Sequence, residues 1–137
     1  MAYDMYQEMI LQHYRTPKNF GPLSGATASG EESNPLCGDH IRVELKVSDG
    51  GVVEEVGFSG DGCAISVAAT SLLTQKVKGR PVAEVEKISR EDVFHLIGIP
   101  LSPARIKCGL TGFVALGRAL HGEPPGPVSA SEPVGSP

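Results

Sequence analysis

Three cysteines and one aspartate carry the chemistry open to this sequence. Cys37 and Asp39 lie in Pro35-Leu36-Cys37-Gly38-Asp39, Cys63 follows Gly60-Asp61-Gly62, and Cys108 follows Lys107. The cysteines are 26 and 45 residues apart and form no Cys-x-x-Cys pair, so neither a zinc finger nor a thioredoxin-type pair is supported. A thiol reacts, and binds metal, as its thiolate. Cys63, at the mouth of an expected helix, feels the partial positive charge of unpaired N–H groups. Cys108, near another helix start, has Lys107 beside it and Arg105 three residues earlier; both settings favour thiolate. Gly38 gives the Cys37 loop a backbone that can move, and Asp39 offers a hard oxygen within reach of the same point. Three thiolates and one carboxylate match the count of a closed tetrahedral zinc site, and thiolates also hold iron–sulfur clusters. Cys63 and Cys108 also read as small buried hydrophobes, Cys37 in its Gly- and Pro-bearing loop less readily so, and Asp39 also reads as a turn or strand-entry residue.

The other candidates are weaker. His13 sits on an apolar helix face and reads as a core-edge histidine. His40 is either a ligand or an ordinary strand residue beside Ile41. His95 and His121 read as surface residues, and Tyr3 and Tyr14 as packing.

These residues have to be positioned by a small α+β body. Tyr6, Met9, Ile10, His13 and Tyr14 follow the helical period, and Pro17 ends that helix. Residues 18–36 form a long connection, with a polar edge strand expected near Ala26–Glu32; a connection this long usually has a role of its own. Ile41, Val43, Leu45 and Val47 alternate with polar residues as in a half-buried strand. Asp49-Gly50-Gly51 turns the chain into a return strand over Val52–Phe58. Ser59–Gly62 reads as a flexible loop feeding a helix from Cys63 to Lys78, stopped by Gly79. Pro81 opens a short helix. Ser89-Arg90-Glu91-Asp92 reads as a capping box with Asp in place of Glu, and Gly98 closes that element. A last helix starts at Ser102-Pro103 and runs to Gly122. The expected architecture is a small antiparallel sheet of about three strands covered by helices.

Composition narrows the class further. The chain has 137 residues, enough for one domain. Residues 122–137 hold five Pro and three Gly and read as a disordered tail, leaving 1–121 as the folded domain. The net charge of −4 argues against nucleic-acid binding. No long apolar run or signal peptide is evident, so the expected location is the cytoplasm, with no membrane partner. An odd number of cysteines there argues against a disulfide framework.

Taken in order, the segments resemble the U-type iron–sulfur cluster assembly proteins: IscU, SufU and the NifU N-terminal domain. The likeness rests on His13-Tyr14-Arg15-Thr16-Pro17-Lys18-Asn19, Asn34-Pro35-Leu36-Cys37-Gly38-Asp39, Phe58 through Cys63-Ala64-Ile65-Ser66, and Pro103-Ala104-Arg105-Ile106-Lys107-Cys108. It implies an α+β fold with the three cysteines and Asp39 gathered at one end. It implies a cysteine desulfurase as partner, handing over sulfur as a persulfide. It also implies scaffolding of a [2Fe–2S] cluster from iron and sulfide, or relay of sulfur to recipient apo-proteins or a downstream scaffold. IscU-type members carry His where this chain has Lys107, and a lysine ammonium has no lone pair. The third segment resembles SufU, whose members bind zinc through three Cys and one Asp. Within that likeness Cys37, whose loop reads as the most mobile of the three, is the expected first persulfide acceptor; Cys37, Asp39, Cys63 and Cys108 are the expected metal ligands; and the charges of Arg105 and Lys107 are expected to stabilise thiolate or persulfide sulfur. The alternative reading is a structural zinc-binding domain without sulfur transfer. Enzyme or scaffold is left open.

Overall fold

The structure is a computed structural model that describes residues 2–35 and 38–121. The expected tail at 122–137 lies outside the described residues, and so does Cys37. In chain order the elements are α1 (Ala2–Arg15), β1 (Ala28–Asn34), β2 (Asp39–Val47), β3 (Val53–Asp61), α2 (Ala64–Val77), α3 (Val82–Val85), α4 (Arg90–Ile97) and α5 (Pro103–His121). The three strands form one antiparallel sheet in the order β1-β2-β3. Among the described residues, no helix is long and apolar enough to cross a membrane.

The period-two pattern of β2 decides how the sheet is used. Ile41, Val43 and Leu45 are buried, while His40 is exposed and Arg42 and Glu44 half-buried. The inward face packs under α5, which lies on β1 and β2; α2 packs on α5, and α1 packs on α2. The core runs through Ile41, Val43, Leu45, Phe58, Leu73, Val77, Val93, Ile97 and Leu116. Close approach of the two long helices needs a bare backbone at Gly112, where a β-carbon would run into Thr70 Oγ1 and Cβ.

The punctuation read from the sequence holds. Ser89 caps α4: its Oγ accepts the Asp92 N–H at 3.2 Å, and Asp92 Oδ2 accepts the Ser89 N–H at 2.8 Å. That bond from the Ser89 backbone holds the Asp92 carboxyl below its ordinary value. Gly79 and Gly98 both take positive φ past a helix end. The long connection does have a role. Gly21 N–H donates to Phe58 O at 2.7 Å and Phe58 N–H to Asn19 O at 2.9 Å, so residues 19–21 cover the outer edge of β3.

Three expectations need correction. Ser59–Asp61 is strand, not a flexible loop: Asp61 pairs with His40 and Gly60 with Ile41. Gly60 is there for close approach, since it sits at φ +126 and a β-carbon would collide with the His40 carbonyl. Tyr14 is 45 % exposed and so is not a packing residue. The polar edge strand lies slightly later than expected, at Ala28–Asn34, and it is not polar because it faces water: Glu32 and Asn34 point inward and are buried.

Candidate metal centre

Asp39 is placed by a hairpin. Its pairing with Asn34 closes the β1–β2 connection, and Gly38 N–H donates to Asn34 O at 2.8 Å across the same stem. Alternation turns Asp39 inward with Ile41, leaving it 2 % exposed. Cys63 is the N-cap residue of α2, in extended backbone and with no side-chain capping bond. Its N–H donates to Asp39 Oδ1 at 2.9 Å, so one carboxylate oxygen ties the sheet to the mouth of α2. Cys108 lies in the second turn of α5 and is fully buried. Helix-end fields act mainly within the first turn, so the helix start expected to act on Cys108 is replaced by burial.

The fold thus brings together three residues that are far apart in sequence. One ligand atom from each of Asp39, Cys63 and Cys108 lies within 4.8 Å of the others. Neither described cysteine is in a disulfide. Asn34 Nδ2 approaches Cys108 Sγ at 4.0 Å. Asp39 Oδ2 is buried and, among the described residues, has no hydrogen-bond partner. Gly62 is kept bare by the same cluster: a β-carbon there would lie 2.9 Å from Ser66 Oγ and 3.0 Å from Asp39 Oδ1.

This donor set fits zinc. Two sulfurs and a carboxylate oxygen are ligands zinc takes, and a tetrahedral site puts such atoms about 3.5–3.8 Å apart. A separation of at most 4.8 Å is a small contraction from that, and Asp39 Oδ2, buried and without a hydrogen-bond partner among the described residues, is an oxygen of the kind such a site takes. Thiolate sulfurs equally suit iron with sulfide.

Other candidates fall elsewhere. Arg105 and Lys107 are exposed on the first turns of α5 and, among the described residues, make no ion pair. His40 is on the outer sheet face, bonded to Ser33 Oγ at 2.8 Å and Glu31 Oε1 at 2.9 Å. His13 is a half-buried residue at the α1–α2 contact, its Nδ1 2.7 Å from Ser71 Oγ. Burial, and then the Lys18 charge, lower its pKa. Asn34 and Ser66 stand in the segments around Cys37 and Cys63 that carry the resemblance, but the sequence assigned neither of them a role at the site. Their burial beside the candidate ligands comes only from the fold.

Comparison with known proteins agrees with the fold. Residues 5–122 match the family described as NifU-like N terminal domain. The chain is 33 % identical over 136 residues to the zinc-dependent sulfurtransferase SufU of Bacillus subtilis, covering 87 % of this chain and 91 % of that protein. It is 35 % identical over 116 residues to the iron–sulfur cluster assembly scaffold protein IscU of Aquifex aeolicus, covering 84 % and 73 %. Among solved structures, FiSufU of Fervidobacterium islandicum superposes with a TM-score of 0.73 at 25 % identity, covering 86 % of this chain and 98 % of that one.

Proposed function

The chain belongs to the NifU-like N-terminal domain family of iron–sulfur cluster assembly scaffolds, and from that premise we propose that it accepts sulfur from a cysteine desulfurase and holds it for nascent [2Fe–2S] cluster formation or relay. The observation that carries this reading is the meeting of Asp39, Cys63 and Cys108 beside a buried carboxylate oxygen with no partner among the described residues. Cys37 completes the set: it is two residues from Asp39, so its Cα is within about 7 Å of that of Asp39 by chain length alone. Zinc, when bound, would keep its thiolate ligands deprotonated; Asp39, Cys63, Cys108 and Cys37 would hold it. Iron and sulfide are cargo for the same ligands.

Cys37 is the first acceptor in this reading. Its thiolate attacks the outer sulfur of the desulfurase persulfide. The donor S–S bond breaks, a new S–S bond forms on Cys37, and the donor cysteine leaves as thiolate, with no net oxidation or reduction. Asp39 holds the mouth of α2 through the Cys63 N–H. Arg105 and Lys107, exposed on α5, supply positive charge that draws an anionic partner or intermediate to this end of the molecule.

A metal that only props up the fold is disfavoured by the core. Its apolar residues lie between the sheet and the helices and include neither Asp39 nor Cys63, and Cys108 is buried at their margin. The test is intact-mass spectrometry after incubation with a cysteine desulfurase and cysteine. Wild type gains 32 Da steps (about one sulfur each), and Cys37→Ser loses most of that gain. Equal sulfur uptake by Cys37→Ser removes Cys37 as acceptor.

A further inference from the structure

Ser66, Thr70, Ser71 and Thr74 bury four hydroxyls along α2. Three are engaged. Thr70 Oγ1 donates to Ser66 O at 2.8 Å and Thr74 Oγ1 to Ser71 O at 2.7 Å. Ser71 Oγ accepts the Lys18 N–H at 2.7 Å and sits 2.7 Å from His13 Nδ1. Ser66 is fully buried too, yet among the described residues its Oγ has no partner. A buried hydroxyl left unpaired is destabilising, and such exceptions call for an explanation.

Its location supplies one. Ser66 is three residues past the N-cap, and its Oγ and Asp39 Oδ1 both stand against the bare face of Gly62. The hydroxyl therefore points into the end of the molecule that carries Cys63. At an N-cap, a side-chain acceptor takes the N–H of the second or third helical residue, here Ile65 or Ser66. Cys63 makes no such bond, and a thiol sulfur is a weak acceptor. A persulfide differs. Its outer sulfur reaches one bond farther and is anionic, which suits the positive end of a helix.

We infer that the first turn of α2 is a seat for the outer, anionic sulfur of a persulfide on Cys63, with the Ser66 hydroxyl and the Ile65 and Ser66 N–H groups as its donors. This rests on the sulfur-acceptor reading and adds a second station to it. The Cys63 thiolate attacks the outer sulfur of a donor persulfide, from Cys37 or a small molecule. The donor S–S bond breaks, an S–S bond forms at Cys63, and the donor sulfur leaves as thiolate. The transferred S–H then gives its proton to water, leaving the anion the seat receives. No electrons are gained or lost overall. The hydroxyl is unpaired among the described residues because its acceptor is the cargo.

The experiment compares full-length wild type and Ser66→Ala, treated with a chelator and then with glutathione persulfide. Trapping by alkylation and peptide mapping read the added sulfur on each cysteine over time. Sulfur on Cys63 should decay about tenfold faster in Ser66→Ala, the size of one lost hydrogen bond to an anion, while sulfur on Cys37 decays equally in both. The melting midpoint of Ser66→Ala should stay level or rise, because an unpaired hydroxyl has been removed. Equal decay at Cys63, or a midpoint fall of several degrees, overturns the seat. Sulfur on Cys37 alone overturns the seat and leaves the acceptor reading standing. Sulfur on no cysteine overturns both.

Discussion

Replacing Asp39 with alanine separates what this residue does for the fold from what it does for metal. Two effects oppose each other in the metal-free protein. Oδ1 accepts the Cys63 N–H at 2.9 Å, and losing a hydrogen bond of this kind costs about 1.5–3 kcal/mol. Oδ2 is buried with no partner among the described residues, and removing such an atom returns about 1–3 kcal/mol. The terms nearly cancel, so the metal-free variant should lie within about 1 kcal/mol of wild type, a midpoint shift of about 4 °C for a chain this size. Zinc tells the two apart. Losing one ligand should weaken binding by about a hundredfold or more, going by the losses seen even for outer-shell partners. At a fixed excess of zinc that removes about 2.7 kcal/mol of ligand-induced stabilisation, and most of the zinc-dependent rise in midpoint goes with it. Calorimetry with and without zinc, plus competition against a chelating dye, reads both quantities. A metal-free Asp39→Ala that fails to fold would make Asp39 a structural strap. Zinc affinity within a factor of about three of wild type would take Asp39 out of the ligand set. Either result refutes the reasoning.

Arg118→Met should destabilise the protein by about 3 kcal/mol, because Arg118 Nη1 pairs with fully buried Glu32 Oε1 at 3.1 Å and also donates to Glu31 O at 3.0 Å; urea unfolding reads this, and a loss under about 1 kcal/mol contradicts the buried pair. His13 should make stability depend on pH. Its folded pKa lies below the ordinary 6.5, so between those two values the unfolded chain binds more protons, and stability rises with pH through that window and falls on acidification. Thermal midpoints across that range should show the slope in wild type and a weaker one in His13→Gln; identical slopes rule His13 out as its source.

Much of the fold was legible because it is written in local rules. Alternation in β2, the Asp49-Gly50-Gly51 turn, the Ser89 capping box and the glycines after α2 and α4 act within a few residues of themselves. Ser59–Asp61 was misread for the opposite reason. Glycine and serine there look like a loop, and only the facing backbone of β2, with its carbonyl at His40 against Gly60, makes that segment a strand. Glu32 looked like an edge residue because its partner Arg118 lies 86 positions away at the far end of α5.

The sequence by itself determined the candidate ligand types, the order in which they appear and the α+β class, because residue chemistry and short-range periodicity need no partner. The tertiary structure decided that Asp39, Cys63 and Cys108 meet. Cys63 and Cys108 are brought together by α2 packing on α5, with Gly112 bare against Thr70, and Asp39 is turned inward by strand register. It also decided that, among the described residues, Asp39 Oδ2 and Ser66 Oγ are buried without a hydrogen-bond partner. Satisfaction of a hydrogen bond is a property of neighbours in space, and no spacing along the chain records it.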